Sequence, residues 1–203
     1  MSENLKQRAK EILDIQTESV NDLNITEEML RAIEVIIERS ENKKGRVITA
    51  GMGKAGIIGH KMSATMASIG IPSFFVSPAE SAHGDIGRIG PDDTLIVFSN
   101  SGSTSEVMNM IQTVNRLNDN NNFIISIGSS KNPKIPVDLA IGYGKLEESC
   151  VVSKVPSTST TVMLIIADII AITAAESMGF DDSWFKKRHP GGAIGKSYEG
   201  KDH

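Results

Sequence analysis

From Arg46 onward, short apolar runs alternate with segments of helical spacing, and this rhythm limits the possible fold more than any other feature of the chain. "RVITA", "PSFFV", "DTLIVFS", "NFIISIG" and "VDLAI" are brief and rich in β-branched or aromatic residues, as strands are. "GKAGIIGHKMSATMASIG", "TSEVMNMIQTVNRLN" and "STSTTVMLIIADIIAITAAESMG" read as helices. Strands apolar on both faces that alternate with helices predict an α/β fold, a five-stranded parallel sheet flanked by helices. In such sheets ligands bind beyond the C-terminal ends of the strands, so the loops that follow strands are the places to look for chemistry.

Ahead of this region, Ile12, Ile15, Leu30, Ile33 and Ile37 recur at helical spacing, and Thr26 before Glu27 and Glu28 marks a helix start. Residues 1–45 are therefore expected to be helices packing on the domain or on an oligomer partner, and residues 46–203 to form one domain with a C-terminal tail. A chain of 203 residues, 39% apolar, suits a single core. The net charge of −4 and the lack of a Lys/Arg-rich run exclude the electrostatic footprint of nucleic-acid binding, leaving small molecules and other protein chains as partners. One cysteine, Cys150, forms no intramolecular disulfide, and "MSENLKQRAK" has no apolar signal core, so a cytoplasmic location is expected. "TVMLIIADIIAITAA" is shorter than a ~20-residue span and carries Asp168, so it reads as a buried helix and no membrane is expected.

The first strand ends in "AGMGKAG", where Gly51, Gly53 and Gly56 fit G-x-G-x-x-G. A dinucleotide site needs an acidic residue about 20 residues on, at the end of the second strand. Val76 and Ser77 stand there, and Glu80 comes only after a proline. The turn also fails as a P-loop, whose lysine follows the last glycine, whereas Lys54 lies inside this one. Taken alone, it fits either a tight strand-to-helix turn with a solvated lysine or a small-ligand loop.

After the third strand, "FSNSGSTSE" gathers the hydroxyls of Ser99, Ser101, Ser103 and Thr104, with Asn100, at a helix start. Hydroxyls and unpaired amides at a helix N-terminus suit one phosphate group, although a plain N-cap needs only one of them. Elsewhere "AESAHGDIG" holds His83, "GKLEESCVVSKVPSTSTT" holds Glu148 before a hydroxyl-rich helix start, and "KKRHPGGAIGK" holds His189.

In order and spacing, "GMGKAGIIGHKMSATMASIGIPSFFV", "PAESAHGDIG", "SNSGSTSE", "PSTSTT" and "HPGGAIG" resemble the sugar isomerase (SIS) domain of arabinose-5-phosphate isomerases, from about Arg46 to Lys196. The resemblance implies a flavodoxin-like three-layer sandwich and interconversion of D-ribulose 5-phosphate and D-arabinose 5-phosphate through an enediol. It also implies no nucleotide cofactor, no obligatory metal, and a homotetramer with active sites between subunits. Lys54, His83, Glu106, Glu148 and His189 match the family's catalytic positions, one histidine arriving from a neighbouring subunit. Gly53, Ser99, Asn100, Ser101, Thr104, Ser157, Thr158 and Ser159 match the positions that hold substrate.

The implied chemistry is coherent. Isomerisation moves a hydrogen between C1 and C2, which needs a base for a carbon-bound proton and an acid for the oxygen. Glu148 is a candidate base, a histidine can shuttle the oxygen proton, and Lys54 can stabilise the enediolate. Three features depart from the family. Ala55 stands where "GMGKS" is usual, Ser103 where Glu is usual, and "ESCVVSKVPSTSTT" where "EACPLGLAPTSSTT" is usual. The chain is also expected to lack the paired CBS domains that most of these enzymes carry. The alternatives are an isomerase of another phosphosugar and a non-catalytic phosphosugar sensor. A nicotinamide-dependent dehydrogenase rests on the three glycines alone.

Overall fold

In the computed structural model, which describes residues 2–189 and 191, five strands form one all-parallel sheet. They are β1 (Val47–Gly51), β2 (Ser73–Val76), β3 (Thr94–Phe98), β4 (Phe123–Gly128) and β5 (Leu139–Gly142), in the order β2-β1-β3-β4-β5. Val47 lies opposite both Ser73 and Thr94, and Thr94 lies opposite Phe123, so the strand starts are level across the three central strands. Each strand expected from an apolar run is present.

Side-chain alternation divides the core in two. Val47, Ile96, Phe98, Ile125 and Ile127 face one side, where they meet Ile36 of α2 (Glu27–Asn42), Met62 and Met66 of α3 (Gly53–Ser68), and Ile166 and Ile170 of α6 (Thr158–Ser177). Ile48, Ala50, Leu95, Val97 and Ile124 face the other side, where Val107, Met110, Ile111 and Val114 of α5 (Ser105–Leu117) cover them. The result is the three-layer sandwich. Each fully buried Ile or Met contributes roughly 1.5–3 kcal/mol, so both helical layers are held by burial rather than by helix propensity.

The hydroxyl-led run read as a helix forms α6 over 20 residues, and by length and composition this helix is long and apolar enough to cross a membrane, where its apolar stretch alone reads as too short. Its apolar surface is used inside the protein, against α2 and α3, with Val162, Met163, Ile166, Ala167 and Ile170 at 0–1% exposure. Asp168 lies on its more open side and pairs with Lys61 of α3.

The two N-terminal helices are also present. Thr26 Oγ1 accepts from Met29 N at 3.4 Å and starts α2, which inserts Met29, Ala32 and Ile33 into the core. The preceding helix, α1 (Ser2–Asn21), packs on α6 but buries none of its residues completely. Two short helices, α4 (Pro78–Ser81) and α7 (Asp182–Arg188), and a 3-10 turn (Asp85–Arg88) lie where the sequence analysis places no element.

The two ends of the sheet differ in how their polar groups are used. At the N-terminal edge, the buried Arg39 donates to the carbonyls of Pro91, Asp92 and Asn121, and Asn122 donates to those of Gly90 and Asp93. This end is satisfied from within the protein. The C-terminal edge is open, and the loops after β1 and β3 and the start of α6 converge there.

Candidate active site

The strand order reverses between β1 and β3, so the loops after these two strands diverge and leave a crevice. Met52, Lys54 and Ala55 after β1, Phe98 to Ser101 and Thr104 after β3, and Pro156, Ser159, Thr160 and Met163 around the start of α6 line a cavity of about 250 Å³. That is below the ~300–1,000 Å³ of drug-sized ligand sites. It suits a small molecule rather than a dinucleotide.

The glycine turn shapes one wall. A Cβ on Gly56 would lie 2.5 Å from the carbonyl oxygen of Gly51, so the pair lets α3 press against the end of β1. Gly53 has φ +56° with open space around it, and it turns the chain into the helix so that Lys54 follows at the mouth. Among the described residues, nothing forms a hydrogen bond or ion pair with the Lys54 ammonium. A charge so placed is free for a ligand.

The opposite wall is the β3–α5 loop. Ser99 Oγ and Thr104 Oγ1 are 2.9 Å apart, and Ser101 Oγ accepts from the amide and hydroxyl of Ser103. Thr104 occupies the N-cap of α5, but its hydroxyl pairs with that of Ser99 instead of capping, so among the described residues no side chain caps the first amides of the helix. Such amides attract anions. The loop is held from behind. Ser129 Oγ donates to the Asn100 carbonyl at 2.6 Å, Tyr143 OH donates to Asn100 Oδ1 at 2.7 Å, and Lys134 N and Ile135 N donate to the Gly102 carbonyl. Sequence reasoning missed Tyr143. Its partner Asn100 is 43 residues away, and only the pairing of β3, β4 and β5 brings them together.

At the start of α6 the carboxylate of Glu148 performs the capping. Its Oε2 accepts from Ser157 N at 2.7 Å, Ser157 Oγ at 3.1 Å and Ser159 N at 3.3 Å. Partial burial pushes the Glu148 carboxyl up, but the hydrogen bonds from Ser159 and Ser157 outweigh it and hold the group below its ordinary value. Burial, with a smaller push from the Glu148 charge, raises the Tyr143 phenol. Of the three residues expected to hold substrate here, Ser159 lines the cavity, its buried hydroxyl acting electrostatically on the Glu148 carboxylate without a partner in hydrogen-bond geometry among the described residues. Ser157 and Thr158 turn the other way, their hydroxyls accepting from Ser149 N at 3.0 and 3.1 Å. Glu148 itself lines a neighbouring cavity of about 710 Å³, bounded on its far side by Arg8 and Ile15 of α1.

Three expected catalytic residues lie outside the crevice of a single chain. Glu106, in the first turn of α5, accepts from Ser105 Oγ at 2.8 Å and faces a groove beside Ser81 and Ile86. Its own backbone amide and Ser105 hold its carboxyl below the ordinary value. His83 is exposed on the loop after α4. His189 ends α7, with its ring stacked on Phe185 at 3.9 Å, and Phe185 borders Ala175 and Glu176 near the far end of α6. A 20-residue helix spans about 30 Å, so α6 separates His189 from the cavity. Within one chain, Lys54, Ser99, Asn100, Ser101, Thr104 and Ser159 come together, with Gly53 and Glu148 beside them, while His83, Glu106 and His189 stand apart. Among the described residues no group of three or more His, Cys, Asp or Glu is placed to hold a metal ion.

The SIS domain family model matches residues 41–167, more than half of the chain. The chain belongs to the SIS domain family. The matched span contains the whole crevice, His83 and Glu106, and ends before His189. Among SIS relatives, arabinose 5-phosphate isomerase KdsD of Pseudomonas aeruginosa is 38% identical over 206 residues, covering 97% of this chain and 60% of the relative. The chain spans about three fifths of the length of the curated relatives it matches. Two solved structures share both fold and sequence. A protein of Bacteroides fragilis assigned as a phosphosugar isomerase involved in capsule formation superposes with a TM-score of 0.88 at 34% identity, covering 91% of this chain and 97% of that one. The E. coli CFT073 protein c3406, solved in complex with arabinose 5-phosphate, superposes with a TM-score of 0.84 at 31% identity, covering 94% of this chain and 100% of that one.

Proposed function

We propose that this chain is an aldose–ketose isomerase that interconverts D-ribulose 5-phosphate and D-arabinose 5-phosphate through an enediol. The observation that carries the reading is that one small crevice holds both Lys54, unpaired among the described residues, and the hydroxyl-lined loop from Ser99 to Thr104, while Glu148 binds the amide of Ser159 in its wall. Relatives named as arabinose 5-phosphate isomerases, and a neighbour solved with that sugar phosphate bound, support the choice of sugar.

The phosphate sits at the start of α5, held by uncapped amides and by Ser99, Ser101 and Thr104. Bound there, it supplies remote binding energy that fixes C1 and C2 near the reacting groups. Glu148, kept ionised by its hydrogen bonds, takes the carbon-bound proton, and Lys54 stabilises the negative oxygen of the enediolate. A neighbouring subunit supplies the histidine that shuttles the oxygen proton, which accounts for the distance of His83 and His189 from this crevice. The assembly is a homotetramer acting in the cytoplasm. The exposed Leu5, Leu13, Ile25 and Ile57 are apolar surface available for its contacts.

An enediol exposes the transferred hydrogen to solvent. Incubation of ribulose 5-phosphate with the protein in D₂O should place deuterium at C2 of the arabinose 5-phosphate formed, read by NMR. Product that carries no solvent deuterium would point to direct hydride transfer and reject the enediol, and absence of product would reject the activity.

A further inference from the structure

The residue after Glu148 is the hub of a hydrogen-bond network that reaches the N-terminal helix. Ser149 is 3% exposed. Its amide donates to Ser157 Oγ and Thr158 Oγ1, its hydroxyl contacts Ser157 Oγ at 3.0 Å and Gln16 Nε2 at 3.1 Å, and its carbonyl accepts from Arg8.

Counting protons fixes the direction of these contacts. A serine hydroxyl has one proton to give and two lone pairs. Ser157 Oγ has three neighbours: the Glu148 carboxylate, which accepts only, the Ser149 amide, which donates only, and the Ser149 hydroxyl. Ser157 therefore gives its proton to Glu148 and receives that of Ser149. Having given its proton away, Ser149 Oγ must accept from Gln16. The amide nitrogen of Gln16 thus faces Ser149 and its Oε1 faces Thr161, whose hydroxyl lies 2.7 Å from it and shares its proton with the Ser157 carbonyl at 3.2 Å.

We propose that Gln16, Ser149 and Ser157 form a one-way chain of hydrogen-bond donors that ends on Glu148 and fixes its carboxylate, so that α1 is a working part of the site. Gln16 and Ser149 are positioning residues in this scheme, acting through Ser157, and the catalytic consequence rests on the role given to Glu148 above. Each donor in such a chain polarises the next, so loss of a distant member is felt at the carboxylate.

The test uses the full chain as wild type, Ser149→Ala and Gln16→Leu. Side-chain carboxyl resonances of ¹³C-labelled glutamate are followed through a pH titration, with Glu148→Gln identifying the signal. In both variants the Glu148 midpoint should rise toward that of an ordinary glutamate. The acid limb of kcat should shift the same way, with kcat lowered by less than the ~five-fold worth of a whole hydrogen bond, because the direct donors to Glu148 remain, and KM little changed. An unmoved midpoint in both variants overturns the chain, and a shift in Ser149→Ala alone removes α1 from it. Because α1 buries no residue completely, Gln16→Leu should leave the core folded if Ser149→Ala does not. The titration stands apart from turnover, so a wild type inactive on both pentose phosphates would sink the isomerase reading while the chain is still decided.

Discussion

Two glycines of α3 offer a controlled test of what the glycine turn does. In Gly56→Ala the new methyl would lie 2.5 Å from the Gly51 carbonyl oxygen, where ordinary contact begins at 3.4 Å, so helix and strand must separate by about 0.9 Å. Both partners are backbone held by the sheet and the helix, and neither can rotate away. In Gly59→Ala the nearest atoms belong to the Phe75 and Phe98 rings at 3.2 to 3.4 Å, which can give by a few tenths of an ångström. Both substitutions gain about 1 kcal/mol of helix propensity, and Gly56→Ala adds an overpacking cost of roughly 1–3 kcal/mol. Urea unfolding should therefore find Gly56→Ala about 1–3 kcal/mol less stable than Gly59→Ala at equal m-value. Lys54 rides on the same turn, and a displacement near 1 Å can cost up to ~100-fold in kcat. Equal stability of the two variants would refute the close-approach account of Gly56.

Other consequences can be measured in the same way. Lys54→Met should lower kcat by roughly 100- to 1,000-fold in steady-state assays, the usual cost of removing one donor to a developing oxyanion. Ser99→Ala and Thr104→Val should raise KM and also lower kcat, because the phosphate contacts they remove help to hold C1 and C2 in register. Arg39→Met leaves the carbonyls of Pro91 and Asn121 unpaired and should cost about 1–3 kcal/mol in urea melts, without changing kcat, because it lies at the opposite edge of the sheet. Glu148 titrates below the ordinary value of 4.5, so its stabilising contribution is complete above that pH and is lost as pH falls through the folded value. The stability gap between wild type and Glu148→Gln should therefore narrow between neutral and acid pH in urea melts.

The five strands are legible because each is an apolar run closed by a turn, a signal held within a few residues. Thr26 announces α2 in the same local way. Signals for the missed helices are present. Ser77-Pro78 with Glu80 is a capping pattern, and Ser77 Oγ does lie 3.5 Å from Glu80 N, while Asp181 caps α7 through Ser183 N and Trp184 N. In the site, Lys54 and the loop from Ser99 to Thr104 can be read because both follow strands that end at one edge. The direction taken by Ser157 and Thr158 cannot be read, since it depends on Ser149, and Ser149 depends on Gln16, 133 residues away. Five hydroxyl residues in a row, Ser157 to Thr161, carry no local mark of which one faces the cavity. Helical rotation and the packing of α1 decide that. Residues 190 and 192–203, including most of the "HPGGAIG" motif, lie outside the described structure.

The most direct test of the central claim is ³¹P NMR of the purified chain mixed separately with ribulose 5-phosphate and with arabinose 5-phosphate. The account predicts that both mixtures reach the same ratio of the two sugars without added nucleotide, and that Glu148→Gln slows the approach from both sides. Failure to convert either sugar, with the phosphate resonance still broadened by binding, would contradict it and leave a phosphosugar-binding domain in its place.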